Sequence, residues 1–220
     1  MAVITYYADT GALEDAELFR RFYERSPSER RSKVDEFYFD KDKRLSLGAW
    51  TILSYALDEA GCDPRDIVCG EYGKPGLKGS DVQFNISHSG ERVLCSVSDG
   101  PVGCDVEAIA QIDLKIAENY FFDTEYEQIM ECSGDDRYWM FFRYWTLKES
   151  FMKAVGLGFH LELDAFKVSI GEEITVDQTV DDRRYHFREY RAGDGYCYAV
   201  CSTDDRFSAD MDRISLDELA

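Results

Sequence analysis

The sequence predicts an α+β fold: two similar α/β lobes in one chain, with the active site in the cleft between them. Each half reads as helices followed by strand-rich segments, and no glycine- or serine-rich linker divides them. At 220 residues the chain can bury one sizeable core or two small domains. The predicted lobes are residues 1–102 and 103–220. A groove between such lobes is the ordinary place for a ligand.

In order along the first half, VITYYA reads as a strand. Two helices follow, from Leu13 to Arg25 and from Ser28 to about Leu57, the second broken near Phe39–Asp42. IVCGEYGKPGL is a strand running into a turn, and VQFNISHSG and ERVLCSVSDG are strands. In the second half PVGCDVEAI is a strand, and helices are expected from about Asp113 to Cys132 and from Asp136 to Val155. AFKVSIG, ITVDQTV, YHFREYRA and YCYAVCST then alternate, or carry the β-branched and aromatic residues of strands.

Composition narrows the class. Apolar residues make up 45% and aromatics 14%, which belongs to a folded protein. Apolar runs are too short to span a bilayer, so no membrane role is expected. The N-terminal MAVITYYADTG lacks a signal-peptide core, which points to the cytoplasm. Seven scattered cysteines, none in a CxxC pair, read as reduced small hydrophobes rather than a zinc or dithiol site. A formal charge of −19 excludes generic nucleic-acid binding. That charge is uneven: RRFYERSPSERRSK, from Arg20 to Lys33, carries six bases and two acids, whereas Pro101 to Met140 carries ten acids and two bases. Either these are two solvated faces, or the basic run meets an anion and the acidic one a cation.

Four motifs carry chemistry. In VGCDVE, strand alternation turns Val102, Cys104 and Val106 one way and Gly103, Asp105 and Glu107 the other. Two carboxylates on one face repel unless solvated or bridged by a cation, and Gly103 leaves room for a ligand to approach. Asp99-Gly100 is a hairpin signal that would pair Val93–Val97 with Val102–Glu107. In FNISHSG, Ser87, His88 and Ser89 stand at a turn that can cradle a phosphate. EYGKPGL holds Lys74 extended before a proline. In FFRYWTLKESFMKAVGLG, helical spacing puts Trp145, Glu149, Met152 and Lys153 near one face, with Lys148 one step round. Taken singly, each has a plain structural reading. Together, Asp105, Glu107 and Glu149 with several bases suit a magnesium ion bridging a diphosphate.

In that order and spacing, GKP, FNISHSG, VGCDVE and WTLKESFMKAVGLG resemble the 4′-phosphopantetheinyl transferases of the surfactin-synthetase-activating type; PSERRSK and KDKRLSLG are similar too. The resemblance implies a monomer with coenzyme A and magnesium in the cleft. It implies transfer of the phosphopantetheine arm to a serine of an apo acyl or peptidyl carrier protein, releasing 3′,5′-ADP. It puts the metal on Asp105, Glu107 and Glu149, the adenine on Tyr72, Gly73, Lys74 and Pro75, and the phosphates near Arg44, Ser87 and His88. Lys148 and Lys153 match the family's pair on the catalytic helix. Arg30 and Lys33 stand where the family has two lysines near the 3′-phosphate, and an arginine there replaces a point charge with a fork. Lys153 and His88 would stabilise phosphate charge, and Glu149 would take the serine proton, directly or through a water, with Glu125 as the other carboxylate to share it. The family's carrier is an acidic helical domain, which could meet Arg20–Lys33, Tyr120–Phe122 or the wider Asp113–Cys132 region. A non-catalytic coenzyme A- or carrier-binding module, or a magnesium-dependent phosphohydrolase or nuclease, are the other classes the motifs allow.

Overall fold

The computed structural model describes residues 1–219, the Phe159 side chain excepted. Strand β1 (Ile4–Asp9) leads through a 3-10 turn to helices α1 (Ala16–Arg25), α2 (Ser28–Asp35) and α3 (Asp40–Glu59). Asp15 starts α1 by accepting hydrogen bonds from the N–H groups of Glu17 and Leu18, a cap worth about 1 kcal/mol. Strands β2 (Ile67–Cys69), β3 (Pro75–Leu77), β4 (Gln83–Ser89) and β5 (Arg92–Ser98) complete the first half. The second half runs β6 (Val102–Ala108), α4 (Lys115–Tyr120), α5 (Asp123–Glu131), α6 (Asp136–Val155), β7 (Lys167–Ile170), β8 (Ile174–Asp177), β9 (His186–Tyr190), β10 (Tyr196–Ser202), β11 (Asp212–Arg213) and α7 (Leu216–Leu219).

Two sheets organise these elements. The first has the order β11-β1-β5-β4, and α3 covers it, packing Ile52, Leu53, Ala56 and Leu57 with Phe84, Val93, Cys95 and Val97. The second has the order β6-β10-β9, and α6 covers it, joining Phe141, Leu147 and Phe151 to Cys197, Ala199 and Cys201. Each lobe is therefore one sheet with a 20-residue helix across it. Each of those helices buries a broad apolar surface, which is how it is held. A third cluster, including Leu94, Val102, Cys104, Val106, Tyr198 and Val200, packs between the two sheets. The fold is the expected α+β pair of lobes.

Two expectations change. Asp99-Gly100 closes no hairpin: β5 pairs with β1 and β4, and β6 pairs with β10. A two-residue I′ turn needs positive φ at both centres, which Gly100 lacks, and Pro101 next to it restrains the chain further. β5 and β6 thus end up in different sheets, and the chain changes lobe between them. The tail also crosses back over the expected boundary. β11 pairs with β1 in parallel, and Leu216 is buried in the first lobe's core. No described helix is long and apolar enough to cross a membrane.

Candidate active site

Helix α6 forms one wall of a cleft of about 720 Å³. Trp145, Glu149, Met152 and Lys153 all line it, as positions i, i+4, i+7 and i+8 of one helix face. Tyr72, Gly73, Lys74 and Pro75 line it from the first lobe, and Tyr120 and Leu161 from the rest of the second. Packing sets the position of α6 against β6: a Cβ at Gly103 would run into the backbone of Ser150 and Ala154. Gly103 therefore makes room for the helix, where the sequence had pointed to room for a ligand.

Asp105 and Glu107 project from β6 toward α6, as alternation predicts. Each carboxylate is held by a serine from β4. Ser87 Oγ donates to Asp105 Oδ1 at 2.7 Å, and Ser89 Oγ donates to Glu107 Oε2 at 2.6 Å. Lys153 Nζ, on α6, lies 2.6 Å from the same Asp105 Oδ1 and 3.1 Å from Ser87 Oγ. Asp105 Oδ2 is buried with no hydrogen-bond partner.

The electrostatics follow from burial. Burial raises the pKa of Asp105 despite the opposing charge of Lys153. It raises Glu107 as well, against the hydrogen bond from Ser89. For Glu149, burial and then the charges of Asp105 and Glu107 act in the same direction. Burial opposes the Lys153 ammonium, yet Asp105 keeps its pKa above the usual value. Three crowded carboxylates thus face one cation, and one buried oxygen is left over. A hard divalent ion suits that donor set. Among the described residues, no three such side chains already stand at metal-holding spacing.

A second cavity, of about 340 Å³, gathers Arg30, Lys33 and His88 with Asp42, Ser46 and Phe37. The Arg30 guanidinium rests over the Trp50 ring, 4.9 Å from its centroid. Desolvation, reinforced by Lys153, lowers the His88 pKa from its usual value, although the residue keeps an exposed face. Arg44 lines neither cavity; it donates to Glu14 at 3.2 Å. Lys74 lines the first cleft, but its ammonium is committed: it donates to Val102 O at 2.9 Å and Ala154 O at 3.1 Å. It ties the start of β6 to the end of α6.

Lys148 departs furthest from its expected place beside phosphates. Its side chain is 0% exposed and forms an ion pair with Glu125 at 2.9 Å. Its ammonium also donates to Leu163 O and Phe166 O. One step round the helix from Glu149 is enough to turn it from the cleft into the lobe's interior. Glu125 is sealed in with it, and so cannot act as a base on a substrate in the cleft. Asn85, Tyr120 and the 161–164 segment, by contrast, line the cleft without being sequence-predicted ligands, and Ser89, expected at a phosphate-cradling turn, instead donates to Glu107. His160 packs edge-on against Tyr72 of the cleft wall, with ring centroids 5.4 Å apart.

Comparison with known proteins shows which family the chain is similar to. A family model described as the 4′-phosphopantetheinyl transferase superfamily matches residues 101–201. The 4′-phosphopantetheinyl transferase Sfp of Bacillus subtilis (strain 168) is 35% identical over 212 residues, covering 94% of this chain and 93% of that protein. A second 4′-phosphopantetheinyl transferase of Bacillus subtilis is 33% identical over 198 residues, covering 87% and 88%. The 4′-phosphopantetheinyl transferase gsp of Aneurinibacillus migulanus is 38% identical over 135 residues, covering 60% and 56%.

Proposed function

The chain belongs to the 4′-phosphopantetheinyl transferase superfamily, being similar to its Sfp-like members, and we propose that its interlobe cleft holds coenzyme A and a magnesium ion. The reaction transfers the 4′-phosphopantetheine group from coenzyme A to a serine of an apo carrier protein. The observation that carries the site reading is the orphaned Asp105 Oδ2, on a buried carboxylate paired with Lys153, which lines the cleft together with Glu149.

Magnesium would be held by Asp105, Glu107 and Glu149, and when bound it would neutralise diphosphate charge. Residues 1–102 take the adenine and 3′-phosphate side of coenzyme A, through the Tyr72–Pro75 turn and the cavity of Arg30, Lys33 and His88. Residues 103–220 supply the metal ligands and α6. Ser87 and Arg44 stay assigned to the phosphate side, with Ser87 acting through its contacts to Asp105 and Lys153. Lys153 keeps its proton and offers it to non-bridging oxygens, and His88 donates a hydrogen bond to phosphate. The carrier serine oxygen bonds to the β-phosphorus as the bond to the departing 3′,5′-ADP breaks. The serine proton goes to Glu149, directly or through a water. The enzyme works as a monomer in the cytoplasm on acyl or peptidyl carrier domains, without nucleic acid or membrane.

The test is incubation with coenzyme A, magnesium and an apo carrier, followed by mass spectrometry of the carrier. The carrier should gain the mass of the pantetheine arm, and rates across fatty-acid, polyketide and nonribosomal-peptide carriers should rank its partners. Coenzyme A binding without a mass gain on any of them would overturn the catalytic assignment.

A further inference from the structure

We infer that Ser89 is a positioning residue that holds Glu107 ready for the metal from across the lobe boundary; this rests on the metal reading above. Strands β4 and β6 are edges of different sheets, so the backbone ladder of each stops there. The boundary is stitched by side chains instead. Asn85 Oδ1 accepts from Cys104 N at 2.9 Å, Ser87 Oγ from Val106 N at 3.4 Å, and Ser89 Oγ from Ala108 N at 3.2 Å. Donors and acceptors advance by two residues on both strands, so one face of β4 reads the edge of β6 rung by rung.

The two serine rungs do more than the asparagine rung. A serine hydroxyl has one proton to give and lone pairs to receive. At Ser89 the Ala108 N–H occupies the accepting side, which leaves the single proton for Glu107 Oε2 at 2.6 Å. The first lobe thereby fixes the rotation of a carboxylate carried by the second. Ser87 treats Asp105 in the same way one rung earlier. Two of the three proposed metal ligands are therefore aimed by the lobe opposite their own, and the site forms only when the lobes are in register. Outer partners that orient metal ligands are typically worth 10–100-fold in metal affinity.

The experiment titrates Mn2+ into the full chain saturated with coenzyme A and follows free Mn2+ by electron paramagnetic resonance, with melting temperatures recorded alongside. Wild type, Ser89→Ala, Ser89→Cys, Ser89→Thr and Glu107→Gln are compared. Ser89→Ala should weaken Mn2+ about tenfold or more. Ser89→Cys, similar in size with a weak S–H donor, should do the same and serves if the alanine variant does not fold. Ser89→Thr should bind within about threefold of wild type, below the 10–100-fold loss expected when the orienting hydroxyl is removed. A purely structural stitch would lower the melting temperature of Ser89→Ala and leave Mn2+ affinity unchanged. That outcome, or a threonine variant as weak as the alanine one, overturns the inference while Glu107→Gln still binds weakly. If wild type binds no Mn2+, or Glu107→Gln binds as wild type does, the metal reading itself fails and this inference with it.

Discussion

Lys148 Nζ and Glu125 Oε2 lie 2.9 Å apart with their side chains 0% and 1% exposed, a fully enclosed ion pair in the second lobe. Glu125 also accepts from Phe122 N and Val168 N, so the pair joins α5, α6 and β7 at one point. Removing one partner strands a buried charge. Glu125→Ala should therefore cost about 3–5 kcal/mol in urea unfolding. Glu125→Gln combined with Lys148→Met should recover most of that loss, because neither residue then carries charge. Recovery would show that Lys148 supports the wall of the cleft rather than binding phosphate.

Lys74 gives a pH signature in the opposite sense to a surface salt bridge. Burial lowers its pKa to about 8, and its partners are carbonyls without charge. Between pH 8 and its unfolded value near 10.4, the unfolded chain holds the extra proton, so stability rises with pH there. Below pH 8 the full cost of charging the buried amine is present. Wild type should therefore gain stability relative to Lys74→Met as pH goes from 8 to 10, by at most about 1.4 kcal/mol per unit. Denaturant midpoints of the two proteins at several pH values give the comparison, and parallel curves would contradict the shift.

Gly103→Ala should separate β6 from α6. The added Cβ meets backbone, which cannot rotate away as a side chain can. A loss toward the upper end of about 1–3 kcal/mol is expected. Activity per folded molecule should also fall, since Glu149 and Lys153 ride on the displaced helix. A thermal melt together with the transfer assay separates the two effects.

Chelation should abolish transfer, and added magnesium should restore it. Asp105→Asn should cut metal-dependent turnover by orders of magnitude while the protein still melts cooperatively. Near-normal turnover would remove Asp105 from the metal site. Arg44→Ala, which removes a partner of Glu14, should weaken coenzyme A more than dephospho-coenzyme A. Calorimetric titration of both ligands shows whether the losses differ.

The sequence made the lobes and the catalytic face legible because both depend on local periodicity. Trp145, Glu149, Met152 and Lys153 share a helix face by spacing alone, and Asp105 and Glu107 share a strand face in the same way. Periodicity cannot say which neighbour a face meets. Lys148 was misplaced because one helical step separates the cleft from the core, and the carboxylate that draws it inward, Glu125, is far along the chain. The Asp99-Gly100 hairpin failed for a related reason: a turn dipeptide reports local bending, while strand partners are chosen by tertiary packing. Ser89 and Asn85 carried a signal in their i, i+2, i+4 spacing with Ser87, but it acquires meaning only once β6 is known to lie alongside.

The return of β11 and α7 to the first lobe bears on how the protein is made. β1 emerges early in synthesis, yet its β11 neighbour and the Leu216 that seals its core arrive only after the whole second lobe has been translated. Until then one edge of the first sheet is open, and an open edge is a template for pairing with another chain. The first lobe to be translated is therefore the last to be finished, because its edge strand and core-sealing residue come from the end of the chain.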